Sequence, residues 1–229
     1  MSNILDLKYR LELKFVSNLN NLNLINMWLK LNSYLFRKEY EDRLINNVYF
    51  DTFELNSLNS NVLESLKRFK IRYRWFGNLL NKKGSLEIKN KINKYGWKDR
   101  YKIKDLSLLK VNSWKSIVKL ISSQVPQNVK YLLNEYRFPV IINQYLREYY
   151  ISKNKKFRIT IDTNIKNFSQ FLSSNPNLTK SYSQKNMLIL EVKFLKRDEN
   201  EIKNLLSQIP IRNSKNSKYL NGFNQIYDV

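Results

Sequence analysis

Cysteine and histidine are both absent from this chain of 229 residues. Their absence excludes disulfides, a thiol nucleophile, a zinc site of the usual ligand kind and a histidine general base. A metal, if one is used, must be a hard cation held by carboxylates. Acidic residues are scarce: 19 Asp and Glu stand against 41 Lys and Arg, a formal net charge of +22. That imbalance points to an anionic partner, whether nucleic acid, an acidic membrane surface, or a phosphorylated small molecule or polymer. No apolar run is long enough to cross a bilayer, and residues 1–7 do not read as a secretory signal. The expectation is a cytoplasmic protein with no membrane segment of its own, which leaves room for a membrane partner protein.

What is present is globular in character. Hydrophobic residues make up 42% and aromatics 14%, enough to build the core of one domain over residues 1–229. The stretch that organises the rest is Lys67-Arg68-Phe69-Lys70-Ile71-Arg72-Tyr73-Arg74-Trp75-Phe76-Gly77. As a strand it sets Lys70, Arg72 and Arg74 on one face and Phe69, Ile71, Tyr73 and Trp75 on the other. Cations in a row repel unless water or an anion lies along them. Guanidinium forks at that spacing suit a chain of phosphates.

Other segments repeat the pattern. Residues 7–16 place Arg10, Glu12 and Lys14 opposite Tyr9, Leu11, Leu13 and Phe15. Residues 85–91 place Glu87, Lys89 and Lys91 opposite Leu86 and Ile88, and residues 97–103 carry Lys98, Arg100 and Lys102 in phase. Residues 139–151 carry Tyr145, Arg147 and Tyr149 on one side. Residues 156–162 oppose Arg158, Thr160 and Asp162 to Phe157, Ile159 and Ile161. Residues 187–195 oppose Glu191 and Lys193 to Leu190, Val192 and Phe194. Residues 45–51 read as a short apolar strand, 53–60 as a polar turn region and 77–84 as a hairpin loop, with Gly96 breaking the next hairpin. Helical spacing appears at 20–31, 106–121, 126–136 and 198–209. Residues 168–185 read as a long polar loop, and the chain after Pro210 as a basic tail.

Strands with one apolar and one charged face admit two arrangements. One is a two-layer α+β sheet with a wet charged face. The other, which uses every feature, is a closed antiparallel eight-stranded β-tunnel of the α+β class, its interior charged and its helices packed on the outside. From another class, the rivals are a degenerate tunnel that only binds polyanions, without catalysis, and a nucleic-acid binder. Two features argue against the nucleic-acid binder: the cations alternate in phase with Glu, and the aromatics lie mostly on the opposite, core-like faces.

In order and spacing, the motifs resemble the VTC domain, the catalytic domain of the vacuolar transporter chaperone polyphosphate polymerase, within the triphosphate tunnel metalloenzymes. They are Arg10-x-Glu12-x-Lys14, Tyr49-Phe50-Asp51-Thr52, the Lys67–Gly77 stretch, Glu87-Ile88-Lys89-x-Lys91, Gly96-x-Lys98-x-Arg100, Tyr145-x-Arg147, Arg158 to Thr163, Glu191-Val192-Lys193 and Ser217-Lys218-Tyr219. The resemblance spans residues 7–222. It implies transfer of the γ-phosphate of ATP to a growing inorganic polyphosphate chain, with Mn²⁺ or Mg²⁺ as cofactor. The residues implied as the catalytic phosphate grip are Lys14, Arg72, Arg74, Lys89, Arg147, Arg158 and Lys218, with Lys215 competing for the register of Lys218. Glu191 is implied as the metal ligand, with Glu12 and Glu87 as further candidates. The remaining in-phase cations, Arg10, Lys70, Lys91, Lys98, Arg100 and Lys193, are candidates for substrate binding, and nucleic acid is not an expected partner. The first strand departs from the Glu-x-Glu-x-Lys of hydrolytic members of the superfamily. One fewer acid there leans away from water activation and toward transfer; a metal-dependent triphosphatase on the same tunnel is the alternative. The sensor domain and membrane helices of the eukaryotic complex are not in this sequence, so the chain alone is not expected to thread polymer across a membrane.

Overall fold

The computed structural model describes residues 10–78, 83–106 and 113–227. Eight strands close a ring. In chain order they are β1 (Arg10–Asn18), β2 (Arg37–Asp51), β3 (Lys67–Phe76), β4 (Gly84–Ile92), β5 (Tyr95–Ile103), β6 (Phe138–Ile151), β7 (Arg158–Ser169) and, after a short β8 (Ser181–Gln184), β9 (Met187–Leu195). Around the ring they run β6-β2-β3-β4-β5-β1-β9-β7, and β7 pairs back onto β6; β8 adds to the outer edge of β7. Every pairing is antiparallel. The closed eight-stranded tunnel expected from the alternation is the observed architecture.

Closure works because each strand is two-faced. The outer face of β2, β3 and β4 offers Val48, Phe50, Ile71, Tyr73, Trp75, Leu86 and Ile88. Helices α3 (Trp114–Ser122) and α4 (Gln127–Glu135) cover it with Trp114, Ile117, Ile121, Val129 and Leu133. On the far side, Leu11, Phe15, Ile159, Ile161, Leu188, Leu190 and Val192 are covered by α1 (Leu22–Leu31) and α5 (Ile202–Ser207). Each buried aliphatic or aromatic side chain contributes about 1.5–3 kcal/mol relative to exposure. The core therefore lies outside the tunnel, and the ring interior is left to polar groups. One interior patch departs from the charged lining: Ile45, Tyr145, Ile165 and Ile189 pack together with Val16.

Several local expectations need correction. The turn region at 53–60 holds a helix, α2 (Asn56–Val62). Its residue before the first turn, Leu55, has φ 59° and no capping side chain. The cap comes instead from Asp51 at the end of β2, which accepts the backbone N–H of Ser57 and Leu58 at 2.8 and 3.0 Å. A cap so far upstream leaves no start signal in the sequence. Strand β2 begins at Arg37, not 45, because a charged, exposed segment continues its pairing with β6. The turn between β4 and β5 is made at Asn93, φ 52°, whereas Gly96 lies within β5 opposite Lys91. The polar stretch after 168 contains β8, and only residues 114–121 of the helix expected at 106–121 are seen as helix, 107–112 lying outside the described residues.

The basic tail is the largest correction. After a bridge between Asn213 and Phe15, it forms α6 (Lys218–Tyr227). Tyr219 and Phe223 pack on Tyr49, Val140 and Ile141. Gly222 permits this approach: a Cβ there would stand 2.7 Å from Asn167 Oδ1 and 2.8 Å from Ile141 Cδ1.

Candidate functional site

The inner face of the ring carries two different walls. On the inner faces of β3, β4 and β5, a single acid among the described residues sits among cations. Glu87 is fully buried. Its carboxylate accepts from Arg72 Nη2 at 2.7 Å, Lys98 Nζ at 2.9 Å and Arg100 Nε at 3.1 Å, and Arg74 Nη1 stands 3.9 Å away. Register explains the cluster, because Arg72, Glu87 and Arg100 are direct cross-strand neighbours. Burial alone would raise the Glu87 pKa, but Arg72, Arg74 and Lys98 outweigh it and hold the group far below the carboxylate range. Burial brings the Lys98 amine down to about 8 against the pull of Glu87. Arg74 is further held by Asn47 Oδ1 at 2.7 Å and Tyr145 OH at 3.1 Å.

The wall of β1, β9, β7 and β6 carries three carboxylates, Glu12, Glu191 and Asp162. Glu191 meets Lys193 at 2.7 Å, Lys218 at 3.1 Å, Arg147 at 3.2 Å and Lys14 at 3.9 Å. Asp162 takes two hydrogen bonds from Arg147, at 2.5 and 2.6 Å, and pairs with Lys218. Glu12 meets Lys89 at 3.2 Å and Lys14 at 3.4 Å, joining the two walls. For Glu191 and Asp162, burial is the largest influence and would raise the pKa; Lys193, Lys218 and Arg147 reverse it at Glu191, and Arg147 and Lys218 at Asp162, so both are held below the ordinary carboxylate range. Glu12 supports the charged form of Lys89, yet burial and Lys14 bring that amine down to about 8.

The C-terminal segment completes the interior. Lys218 at the start of α6 points its amine between Asp162 and Glu191 and is buried. Lys215 lies outside, ion-paired to exposed Glu64. The structure thus separates the two lysines that compete for one register. Tyr219 stacks on Tyr49 at 4.9 Å and donates to Asp51 Oδ2 at 2.7 Å, which fixes the helix that carries Lys218. Lys14 donates to Asn216 O and Lys70 to Ser217 Oγ, both at 2.8 Å.

Of the residues anticipated from the sequence, Lys14, Lys70, Arg72, Arg74, Lys89, Lys98, Arg147, Lys193, Lys218, Glu12, Glu87 and Glu191 are brought together along this interior. Arg158 is not among them; it stands at one mouth, paired with Glu39 at 3.1 Å. Arg100 reaches in from the rim with its side chain 54% exposed. Arg10 is exposed, and Lys91 lies at the opposite end from Arg158, near Arg68. Asp162, Asn47 and Tyr49 belong to the lining although sequence reasoning does not single them out as site residues. A signal for Asp162 exists: it is in phase with Arg158 and Thr160 on β7.

Among the described residues, no group of three or more His, Cys, Asp or Glu is arranged to hold a metal alone. Glu12 and Glu191 both approach Lys14 Nζ, so two carboxylates face one point. That set fits a hard divalent cation that draws its other ligands from phosphates. Glu87 is set differently: among the described residues no second carboxylate pairs with the cations that hold it.

Fold and lining together define a β-tunnel with a charged interior. The family model of the VTC domain matches residues 9–227. The chain belongs to the VTC domain family, whose members have the triphosphate tunnel metalloenzyme fold. None of the curated proteins matches it. Two solved structures are similar in outline. One is a protein proposed to be an adenylate cyclase from Vibrio parahaemolyticus, at 14% identity and TM-score 0.48, covering 92% of this chain and 95% of the other. The second is a chain of the Schizosaccharomyces pombe Mediator head module, at 13% identity and TM-score 0.47, covering 90% and 97%. No helix among the described residues is long and apolar enough to cross a membrane.

Proposed function

We propose that this chain is a metal-dependent phosphotransferase, a polyphosphate polymerase that moves the γ-phosphate of ATP onto a growing inorganic polyphosphate chain. The observation that carries the reading is the β3–β5 wall, where Arg72, Arg74, Lys98 and Arg100 share one acid. Cations fixed on neighbouring strands with too few acids to neutralise them are a template for consecutive phosphates. Arg72, Arg74, Lys89, Arg147, Lys14 and Lys218 hold phosphate oxygens along the interior, and Arg158 and Arg100 draw the polyanion in at the rim. Phosphoryl transfer of this kind needs positioning and charge neutralisation more than covalent chemistry.

A terminal polyphosphate oxygen attacks the γ-phosphorus of ATP. The bond from that phosphorus to the bridging oxygen breaks, ADP leaves, and the polymer is one phosphate longer. The attacking oxygen is already ionised, so no side chain has to remove a proton, in keeping with a chain that lacks histidine and cysteine. Glu191 and Glu12 would hold Mn²⁺ or Mg²⁺, which would supply further neutralisation of phosphate charge. The setting we propose is the cytoplasm, with ATP and polyphosphate as partners. Incubation with ATP and Mn²⁺, followed by gel analysis, tests the reading. Polymer should appear with ADP in step. Orthophosphate from the first turnover, with no polymer at any protein concentration, would identify a triphosphatase instead.

A further inference from the structure

At the mouth next to Arg158, the inner faces of β2, β3 and β6 carry a cluster of different chemistry. Arg43 lies with its guanidinium carbon 4.7 Å from the Tyr40 ring centroid, 5.6 Å from Tyr149 and 5.7 Å from Phe76. Tyr40 and Tyr149 meet edge to face at 5.5 Å. Arg43 forms no ion pair among the described residues; ring faces hold it where a carboxylate would otherwise do so. Tyr40 remains 45% exposed and Phe76 38%. This contrasts with Tyr73 and Trp75, both at 1%, which are core.

Position ties the cluster to the tunnel. Phe76 follows Arg74 on the same face of β3, one side-chain step of about 6–7 Å further out. Arg43 is the cross-strand neighbour of Arg147. Between Tyr40 and Arg43 the register of β2 shifts by a bulge, which turns the Tyr40 ring back onto the guanidinium. A ligand with its phosphates on Arg74 and Arg147 would have whatever follows the phosphates beside these rings.

We infer that Tyr40, Arg43, Phe76 and Tyr149 form a nucleobase platform at the tunnel mouth, so that the tunnel takes nucleoside triphosphates in preference to bare inorganic tripolyphosphate. This rests on the phosphate-holding interior proposed above and adds the group that reads the other end of the substrate. Exposed aromatic faces and a planar guanidinium stack on a base without needing its hydrogen-bonding edge. The platform therefore favours nucleotides as a class and discriminates weakly between adenine and guanine.

Calorimetric titration of ATP and of tripolyphosphate into the full chain separates the possibilities, since it needs no turnover. Wild-type protein should bind ATP more tightly than a phosphate-matched tripolyphosphate. Tyr40→Ala and Phe76→Ala should each weaken ATP by about tenfold, the lower half of the range for losing one stacking surface, and leave tripolyphosphate unchanged. Arg43→Lys, which keeps the charge and loses the plane, should weaken ATP in the same sense. Unchanged ATP affinity in all three variants overturns the platform and leaves the tunnel reading standing. Equal loss of both ligands also overturns it, assigning the cluster to the structure of the rim. A wild-type chain that binds neither ligand removes the tunnel reading and the platform with it.

Discussion

The two walls of the tunnel use charge differently. On β3–β5, one fully buried glutamate is shared by several cations. On β1–β9–β7–β6, Glu12, Glu191 and Asp162 nearly match Lys14, Lys193, Arg147 and Lys218. An ion of one sign surrounded by the other is an anchor, because each cation in excess still seeks an anion. A near-balanced set is self-sufficient when empty and can release a carboxylate to a metal once phosphates engage its cations. The same Glu-x-Lys motif on β1, β4 and β9 thus serves distinct purposes, decided by how many cations the neighbouring strands aim at it.

The largest effect expected from breaking this asymmetry is at Glu87. Glu87→Gln removes the acid that its cluster shares and leaves buried guanidinium and ammonium groups uncompensated, which should destabilise the fold by about 3–5 kcal/mol. Chemical denaturation measures this. Tripolyphosphate should restore much of the loss by supplying anions to the same cations, and a variant as stable as wild type would contradict the anchor role. Next come Arg72→Ala and Arg74→Ala. Each should lower turnover or affinity by about one to two decades, since a charge-assisted hydrogen bond contributes about 1.5–3 kcal/mol. Melting should stay near wild type, because Glu87 keeps its remaining cations. Near-wild-type turnover would detach this wall from the reaction.

The balanced wall should answer differently. Glu191→Gln should lose turnover while keeping ATP binding, because Arg72, Arg74 and Arg147 still hold phosphates; loss of ATP binding instead would make Glu191 a structural counter-ion only. The smallest effect is with pH. Lys89 and Lys98, at about 8 when folded and ligand-free, lose protons as pH rises from about 7 to 9. Tripolyphosphate affinity should fall over that window. Stability of the empty protein should rise over it, since unfolded lysines with ordinary pKa near 10.4 bind protons that the native ones have released. Affinity and stability moving together would show that the two amines are not so placed.

Much of this is legible in the sequence because period-two alternation writes the two faces of a strand directly. Alternation alone sorts Arg72 and Ile71 to opposite faces, and it carries the reversed polarity of the barrel as well. The cluster around Glu87 is not legible in that way. It depends on the register that sets Arg72, Glu87 and Arg100 side by side across three strands, and register is a tertiary property. Glu87 carries the Glu-x-Lys motif of Glu191 in different surroundings, and the motif alone does not show that difference. Helix α6 reads as a tail because Asn221, Gly222 and Asn224 weaken helical propensity, and packing on Tyr49 and Ile141 decides the outcome. The rim cluster stays hidden because β2 reaches it through a charged, bulged stretch without alternation.

The most direct test of the two-wall account is a crystal structure of the full chain with tripolyphosphate and Mn²⁺, the metal located by its anomalous scattering. The account predicts phosphates on Arg72, Arg74 and Arg147 inside the ring, Mn²⁺ on Glu191 with or without Glu12, and Glu87 still bound to its arginines. Mn²⁺ on Glu87, or phosphate bound only to the outer surface of the barrel, would contradict it.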